Sequence, residues 1–282
     1  MAKKAVLIGV NRYRIPGADL RGCVNDIKNM KELLTRNYGF RAADIVTLLD
    51  FAATKKAIET EIANLIKGAR SGDVVLVHFS GHGSNVPDND GDEADHRDEI
   101  LCPTDLDWKR PLRDDWLRKT FDSVKKGVSL TVITDCCHSG TITRAVQPPD
   151  APMIERYLPS PWDIVAVESG RSLRGATRAT LRSSTKAARK KQDVVAVADI
   201  PEVLISGCRA DQTSADAWIK SSYNGALTYY LVEALAQARG PLTHRELHER
   251  VCAKLRRADY DQVPQLEGTK TRLDQPFLSP VA

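Results

Sequence analysis

The chain has 282 residues, 42% of them hydrophobic and 28% charged, with 41 basic and 37 acidic side chains and a net charge of +4. This is ordinary globular composition for one or two domains, and it excludes collagen-like, coiled-coil and wholly disordered chains. No apolar run approaches the ~20 residues of a spanning helix, and the short apolar stretch after Lys3 and Lys4 reads as a buried strand rather than a secretion signal.

Taken in chain order, residues 5–10 (Ala-Val-Leu-Ile-Gly-Val) predict a buried parallel strand. A helix follows over 26–36, with Ile27, Met30, Leu33 and Leu34 at helical spacing. Residues 45–49 are a second strand. Thr54 caps a helix with Ile58, Ile62, Leu65 and Ile66 on one face. Residues 74–79 are a third strand, the Gly- and Asp-rich residues 80–99 a loop, 114–124 a helix and 130–134 a fourth strand. Residues 194–197 and 203–206 bring a fifth strand. Helices follow through Leu227, Leu231 and Leu235, and, capped by Thr243, through Leu247, Val251 and Leu255. The alternation predicts an α/β fold with a mostly parallel central sheet and helices on both faces.

The regular pattern breaks between about 143 and 193. This stretch holds Pro148, Pro149, Pro152, Pro159 and Pro161, then eight basic residues and no acid: Arg171, Arg174, Arg178, Arg182, Lys186, Arg189, Lys190 and Lys191. Without those eight the net charge is −4. Residues 88–115 carry eleven acids against four basic residues. Asp88, Asp90, Asp92 and Glu99 match four EF-hand ligand positions, but Glu93 stands where that loop needs glycine, and a strand precedes it, so an EF-hand is rejected. Six cysteines without a secretion signal predict a reduced, cytoplasmic protein rather than a disulfide framework.

Two segments carry chemistry, each at the end of a predicted strand: His78-Phe-Ser-Gly-His-Gly83 and Asp135-Cys-Cys-His-Ser-Gly140. In open α/β sheets catalytic groups gather at the carboxyl ends of strands. If these two strands are neighbours, a histidine and a cysteine meet there, as nucleophilic catalysis by a thiolate requires. The amides of Gly83 and Cys137 are then placed to hold an oxyanion. The plainer alternative has both cysteines as buried small residues and His82 as a loop residue. A metal-dependent hydrolase built on His78, His82 and Cys137 is a third reading. No Walker loop, G-x-G-x-x-G or G-x-S-x-G motif is present.

These two segments, with Pro87-Asp-Asn-Asp-Gly-Asp92 and residues 205–216 (Ile-Ser-Gly-Cys-Arg-Ala-Asp-Gln-Thr-Ser-Ala-Asp), resemble a metacaspase, nearest to the type I-like prokaryotic form or orthocaspase, in the caspase-like cysteine peptidase group. The resemblance implies a caspase-like fold in one catalytic domain. A large-subunit region covers 3–144, a basic processing linker 145–192, and a small-subunit region 193–282. No prodomain is expected before it.

The resemblance further implies that Cys137 is the nucleophile, that His82 is the general base and acid, and that Cys136 has no direct role. It implies cleavage after Arg or Lys, with Asp26, Asp135, Ser80 and Asp211 lining the pocket. Buried carboxylates suit a cationic side chain. Asp98, Asp114 and Asp115 match calcium ligands of the family, but Arg144 stands where a fourth acid belongs and opposes Ca²⁺, so no cofactor is expected to be required. Self-cleavage is then expected within Arg156 to Lys191, a stretch that covers the site before it is cut, with the eight basic residues from Arg171 to Lys191 as candidate processing positions. A basic helix that touches an acidic partner or nucleic acid, and a non-catalytic caspase-like adaptor, are the alternatives. The expected partners are protein or peptide substrates and an upstream activating protease or regulator, with neither a membrane nor nucleic acid.

Overall fold

The structure, a computed structural model, describes residues 1–88, 96–138, 152–168, 193–197, 200–209 and 212–281. The first part of the chain runs β1 (Lys3–Gly9), α1 (Cys23–Asn37), β2 (Ile45–Leu49), α2 (Lys55–Gly68), β3 (Val74–Ser80), β4 (Gly83–Pro87), β5 (Arg97–Leu101), β6 (Leu112–Arg113), α3 (Asp114–Asp122) and β7 (Ser129–Asp135). Next come β8 (Met153–Glu155), α4 (Pro161–Glu168), β9 (Val194–Ala196), β10 (Glu202–Ser206), β11 (Ala215–Ile219) and β12 (Ser222–Gly225). The last elements are α5 (Ala226–Ala236), α6 (His244–Arg257), β13 (Gln265–Gly268) and α7 (Lys270–Leu273).

Seven strands form one sheet in the order β2-β1-β3-β7-β10-β13-β9. β1, β2, β3, β7 and β10 run parallel, and β13 is antiparallel to β10. β3 and β7 are buried at every position, as expected of strands covered on both faces. Their side chains alternate between two cores. Ala5, Leu7, Leu76 and Ile133 pack under Ile27, Met30 and Leu34 of α1 and Leu227 and Leu231 of α5. Val6, Ile8, Val75, Val77 and Val132 pack under Ile58, Ile62 and Ile66 of α2 and Leu117 and Phe121 of α3. Thr54 caps α2 by accepting from the Ala57 N–H, and Thr243 and Glu246 form a reciprocal capping box on α6. The expected α/β fold and its helices on both faces are therefore present. Among the described residues no helix is long and apolar enough to cross a membrane.

Two regions differ from the expectation. Residues 80–99 are not simply a loop: β4 and β5 pair as an antiparallel hairpin, joined at β6. Val86, Ile100 and Leu101 of this hairpin are buried in the α2–α3 core. The stretch expected as linker also contains structure. β8 pairs antiparallel with β11, and α4 follows it. The eight basic residues from Arg171 to Lys191 lie outside the described residues, as do Arg144 and Asp211.

Candidate active site

The neighbouring positions of β3 and β7 bring the two sequence segments together. Ser80 is paired in register with Asp135, so Gly81–Gly83 and Cys136–His138 leave the sheet side by side. The loop peptides then converge on one residue, Arg156, immediately after β8. Its carbonyl oxygen accepts from the Gly83 N–H at 3.0 Å and the Cys137 N–H at 3.2 Å. Its own N–H donates to Ser214 O at 2.9 Å. A Cβ on Gly83 would run into the Cys137 carbonyl, so only glycine lets the two loops approach this closely.

The Arg156 side chain points the other way, into a closed acidic pocket. Arg156, Asp26, Ser80, Asp135 and Asp216 are each 0% exposed. The guanidinium lies 2.8 Å from Asp26 Oδ2, 3.0 Å from Asp216 Oδ1 and 3.3 Å from Asp135 Oδ2. It also donates to Ser80 Oγ at 2.8 Å and to the Asp135 carbonyl at 3.1 Å. The carboxylates are themselves held. Asp26 accepts from Gly225 N–H and Ser80 O–H, Asp135 from Thr228 N–H and O–H and from Ser214 O–H, and Asp216 from the Arg21 and Gly22 amides. A side chain at position 225 would collide with both Arg156 and Asp135, so the pocket wall requires glycine there. Burial works against the charge on Arg156, but Asp135, Asp26 and Asp216 outweigh it and keep the guanidinium protonated. Burial pushes the Asp26 carboxyl up to about 7, with Arg156 pulling it down.

His82 and Cys137 border the main chain of the same arginine. His82 Nε2 lies 2.9 Å from the Ala18 carbonyl, which only accepts, so this nitrogen carries the hydrogen. Nδ1 is buried and has no hydrogen-bond partner among the described residues, and the ring borders the Arg156 backbone. Burial lowers the His82 pKa to about 4, leaving Nδ1 as a neutral base. Cys137 is fully buried, its sulfur receives the Ser214 N–H, and it packs with Tyr157 and Cys208. Burial and the Cys208 thiol raise its pKa well above the usual thiol range. With this segment in place the pair is therefore a neutral imidazole and a thiol.

The segment runs on through the cleft. Leu158 N–H donates to Gly83 O at 3.0 Å, and Ser84 Oγ donates to Leu158 O at 2.5 Å. Residues on both sides of Arg156 thus bind as an extended peptide along β11 and β4, the mode in which strand addition supplies main-chain hydrogen bonds.

A family model described as the metacaspase, peptidase C14 domain matches residues 3–145, half of the chain. Over 94% of its length the chain is 33% identical to metacaspase-1 of Pyricularia oryzae, covering 71% of that protein. The chain is a metacaspase. It is likewise 33% identical to metacaspase-1A of Neurospora crassa over 95% of its length, spanning 63% of that relative. A crystal structure of a protein from Geobacter sulfurreducens superposes on the metacaspase with a TM-score of 0.70 at 26% identity, each chain being covered fully.

Of the sequence-derived site residues, Cys137 and Gly83 hold the Arg156 carbonyl, His82 borders the Arg156 backbone, and Asp26, Ser80 and Asp135 surround its side chain. Asp211 is among the residues not described, and the third carboxylate of the pocket is Asp216, which closes the same sequence motif. His78 stands apart: its Nε2 contacts Thr228 Oγ1 at 3.2 Å inside the α5-side core, so it supports Asp135 through Thr228. Cys136 lies in the α2–α3 core. Asp98 is paired with Arg113, and among the described residues no three His, Cys, Asp or Glu side chains are grouped to hold a metal. Ser214, Asp216 and Gly225 do not stand out in the sequence, although Asp216 ends a recognised motif, and Arg156 enters there only as the first residue of the expected self-processing stretch.

Proposed function

We propose that this metacaspase is a cysteine endopeptidase that cuts after Arg or Lys and processes itself. One observation carries the reading: the Arg156 guanidinium rests among three carboxylates while its carbonyl oxygen accepts from two backbone amides beside Cys137. This supports reading the carboxylates as a cation-selective pocket and the two amides as an oxyanion hole, each filled by the same residue.

In this reading Cys137 Sγ attacks the carbonyl carbon, and His82 Nδ1 takes the thiol proton. The Gly83 and Cys137 amides hold the oxyanion, and the proton passes to the leaving amine as the C–N bond breaks. Water then hydrolyses the thioester. Asp26, Asp135 and Asp216 select the cationic side chain, and Ser80 completes its hydrogen bonds. Removal of the buried segment from the site re-solvates Cys137 and His82 and brings both back toward their ordinary pKa values.

Fluorogenic peptides with Arg, Lys or Asp before the scissile bond test this, assayed with Ca²⁺ and with chelator, beside a Cys137→Ala control. Arg and Lys peptides are expected to be cut and the Asp peptide spared. Absence of Arg or Lys cleavage under every condition would defeat the reading.

A further inference from the structure

We infer that the first self-cut falls at Arg156–Tyr157 and that an Arg97–Asp163 clasp acts as a brake on it by retaining the leaving strand. This rests on the endopeptidase reading above. Met153–Glu155 is already paired with β11, and Arg156 already fills the acidic pocket. The bond that follows is therefore the one presented to Cys137 and His82, ahead of any bond in the basic run.

What lies beyond that bond is held as firmly as what precedes it. Tyr157 is 4% exposed and packs on Cys137 and Cys208. Its hydroxyl donates to Asp163 Oδ2 at 3.1 Å, and Ser160 Oγ donates to the same oxygen at 2.7 Å. The other oxygen of Asp163 pairs with Arg97 at 2.6 Å. Arg97 belongs to β5 and also donates to Asn85 on β4, so the clasp fastens the start of α4 to the hairpin that borders the cleft. Asn85 donates in turn to the His138 carbonyl at 2.8 Å, next to the nucleophile. Trp162 of α4 stacks edge-to-face on Trp108, with centroids 6.4 Å apart, as a second anchor.

Retention has a kinetic consequence. When Cys137 Sγ bonds to the Arg156 carbonyl carbon and the bond to Tyr157 N breaks, the freed amine stays beside the thioester. An amine held in place acts at a very high effective concentration. It re-attacks the carbonyl, the C–S bond breaks, the thiol regains its proton, and the peptide is restored. Water completes the cut only after Tyr157 has moved out, because Arg156 and Cys137 are both 0% exposed while it stays.

The test follows the full chain over time by intact-mass and N-terminal analysis. Wild type is expected to yield Tyr157 as its first new N-terminus. Asp163→Ala and Arg97→Met, which break the clasp from opposite ends, are expected to be cut there about tenfold faster, as loss of one charge-assisted contact implies. Hydroxylamine attacks a thioester far faster than water and so captures more of the brief openings in which Tyr157 has moved out; it is expected to speed loss of intact wild type and to leave a hydroxamate on Arg156. It should stimulate Asp163→Ala less. Equal or slower cutting in both folded clasp variants, indifference of wild type to hydroxylamine, or a first cut between Arg171 and Lys191 would each overturn the inference. Peptide hydrolysis by an Arg156→Ala chain, whose pocket is no longer filled from within, reports the endopeptidase reading separately. If that too is absent, the reading beneath the inference falls; if it is present, only the brake falls.

Discussion

Two acidic regions lie on opposite faces of the same sheet, and they treat their charge differently. On the α1–α5 face, Asp26, Asp135 and Asp216 converge on one buried guanidinium, and hydrogen-bond donors engage each carboxylate. On the α3 face, a cavity of about 390 Å³ is lined by Glu99, Asp114, Glu202 and Glu267, with Arg118 and Arg209. There Asp114 is pushed up to about 6 by burial and by Glu99 and Asp115, and Glu267 is raised by burial, Glu99 and Glu202. In the cavity Glu202 pairs with Arg118 while Glu99, Asp114 and Asp115 act on one another without a shared cation at their centre, whereas the three acids of the pocket converge on one guanidinium. A count of carboxylates therefore does not define a cation-binding site. Convergence of the carboxylates and backbone donors that fix them do.

The largest expected effect is on the chemistry beside the pocket. Cys137→Ala should lower self-cutting and peptide hydrolysis by more than ~10³-fold, read by mass spectrometry and fluorescence, because nucleophile and base act as a unit. The next is on stability and pH. Burial holds His78, His82 and His244 at about 4 against an ordinary 6.5. The unfolded chain therefore takes up protons first as pH falls. The stability tied to neutral histidines is complete above 6.5 and is lost progressively toward 4. Urea unfolding of the Cys137→Ala chain should lose roughly a few kcal/mol between pH 7 and 5.

Arg156→Ala leaves three carboxylates without their cation and should cost about 3 kcal/mol in the same assay, with Arg156→Lys intermediate. Asp216→Asn removes one arm of the pocket. Its kcat/KM for an Arg peptide should fall about 30-fold, a loss of about 2 kcal/mol, while the pocket keeps its other two carboxylates. The smallest effect belongs to the cavity and has the opposite sign. The folded-state pKa of Asp114 is raised, so its ionised form is penalised at neutral pH. Asp114→Asn should stabilise the chain by about 1 kcal/mol at pH 7, discounted for partial exposure. That gain should vanish as pH falls from 6 to 4. A destabilising Asp114→Asn, or an Asp216→Asn chain with unchanged Arg preference, would erase the distinction between the two faces.

Much of this arrangement is legible in the sequence. β2 coincides with the expected strand, and the caps at Thr54 and Thr243 start their helices where a hydroxyl precedes an apolar stripe. The β4–β5 hairpin was not legible, because Asp- and Gly-rich residues surround short strands whose burial comes from α2 and α3. Cys137 and His82 stand out because each follows a buried strand, His82 between Gly81 and Gly83 and Cys137 three residues before Gly140. Asp216 does not, since its role depends on the Arg21 and Gly22 amides, nearly two hundred residues away in the chain.

The sequence by itself determined the alternating α/β pattern, the two strand-end segments that carry a cysteine and a histidine, and the family to which they point. These follow from local periodicity and short motifs, which need no knowledge of distant residues. Only the tertiary structure decided that Arg156 occupies the acidic pocket. That pocket is assembled from α1, β3, β7 and β11, which have no common periodicity, and its strands lie in two different sheets that meet only in the folded chain. The net charge of +4 shows the same division. Its excess is readable as a basic run, but the cation seated among the carboxylates is a single arginine outside that run, selected by geometry rather than by abundance.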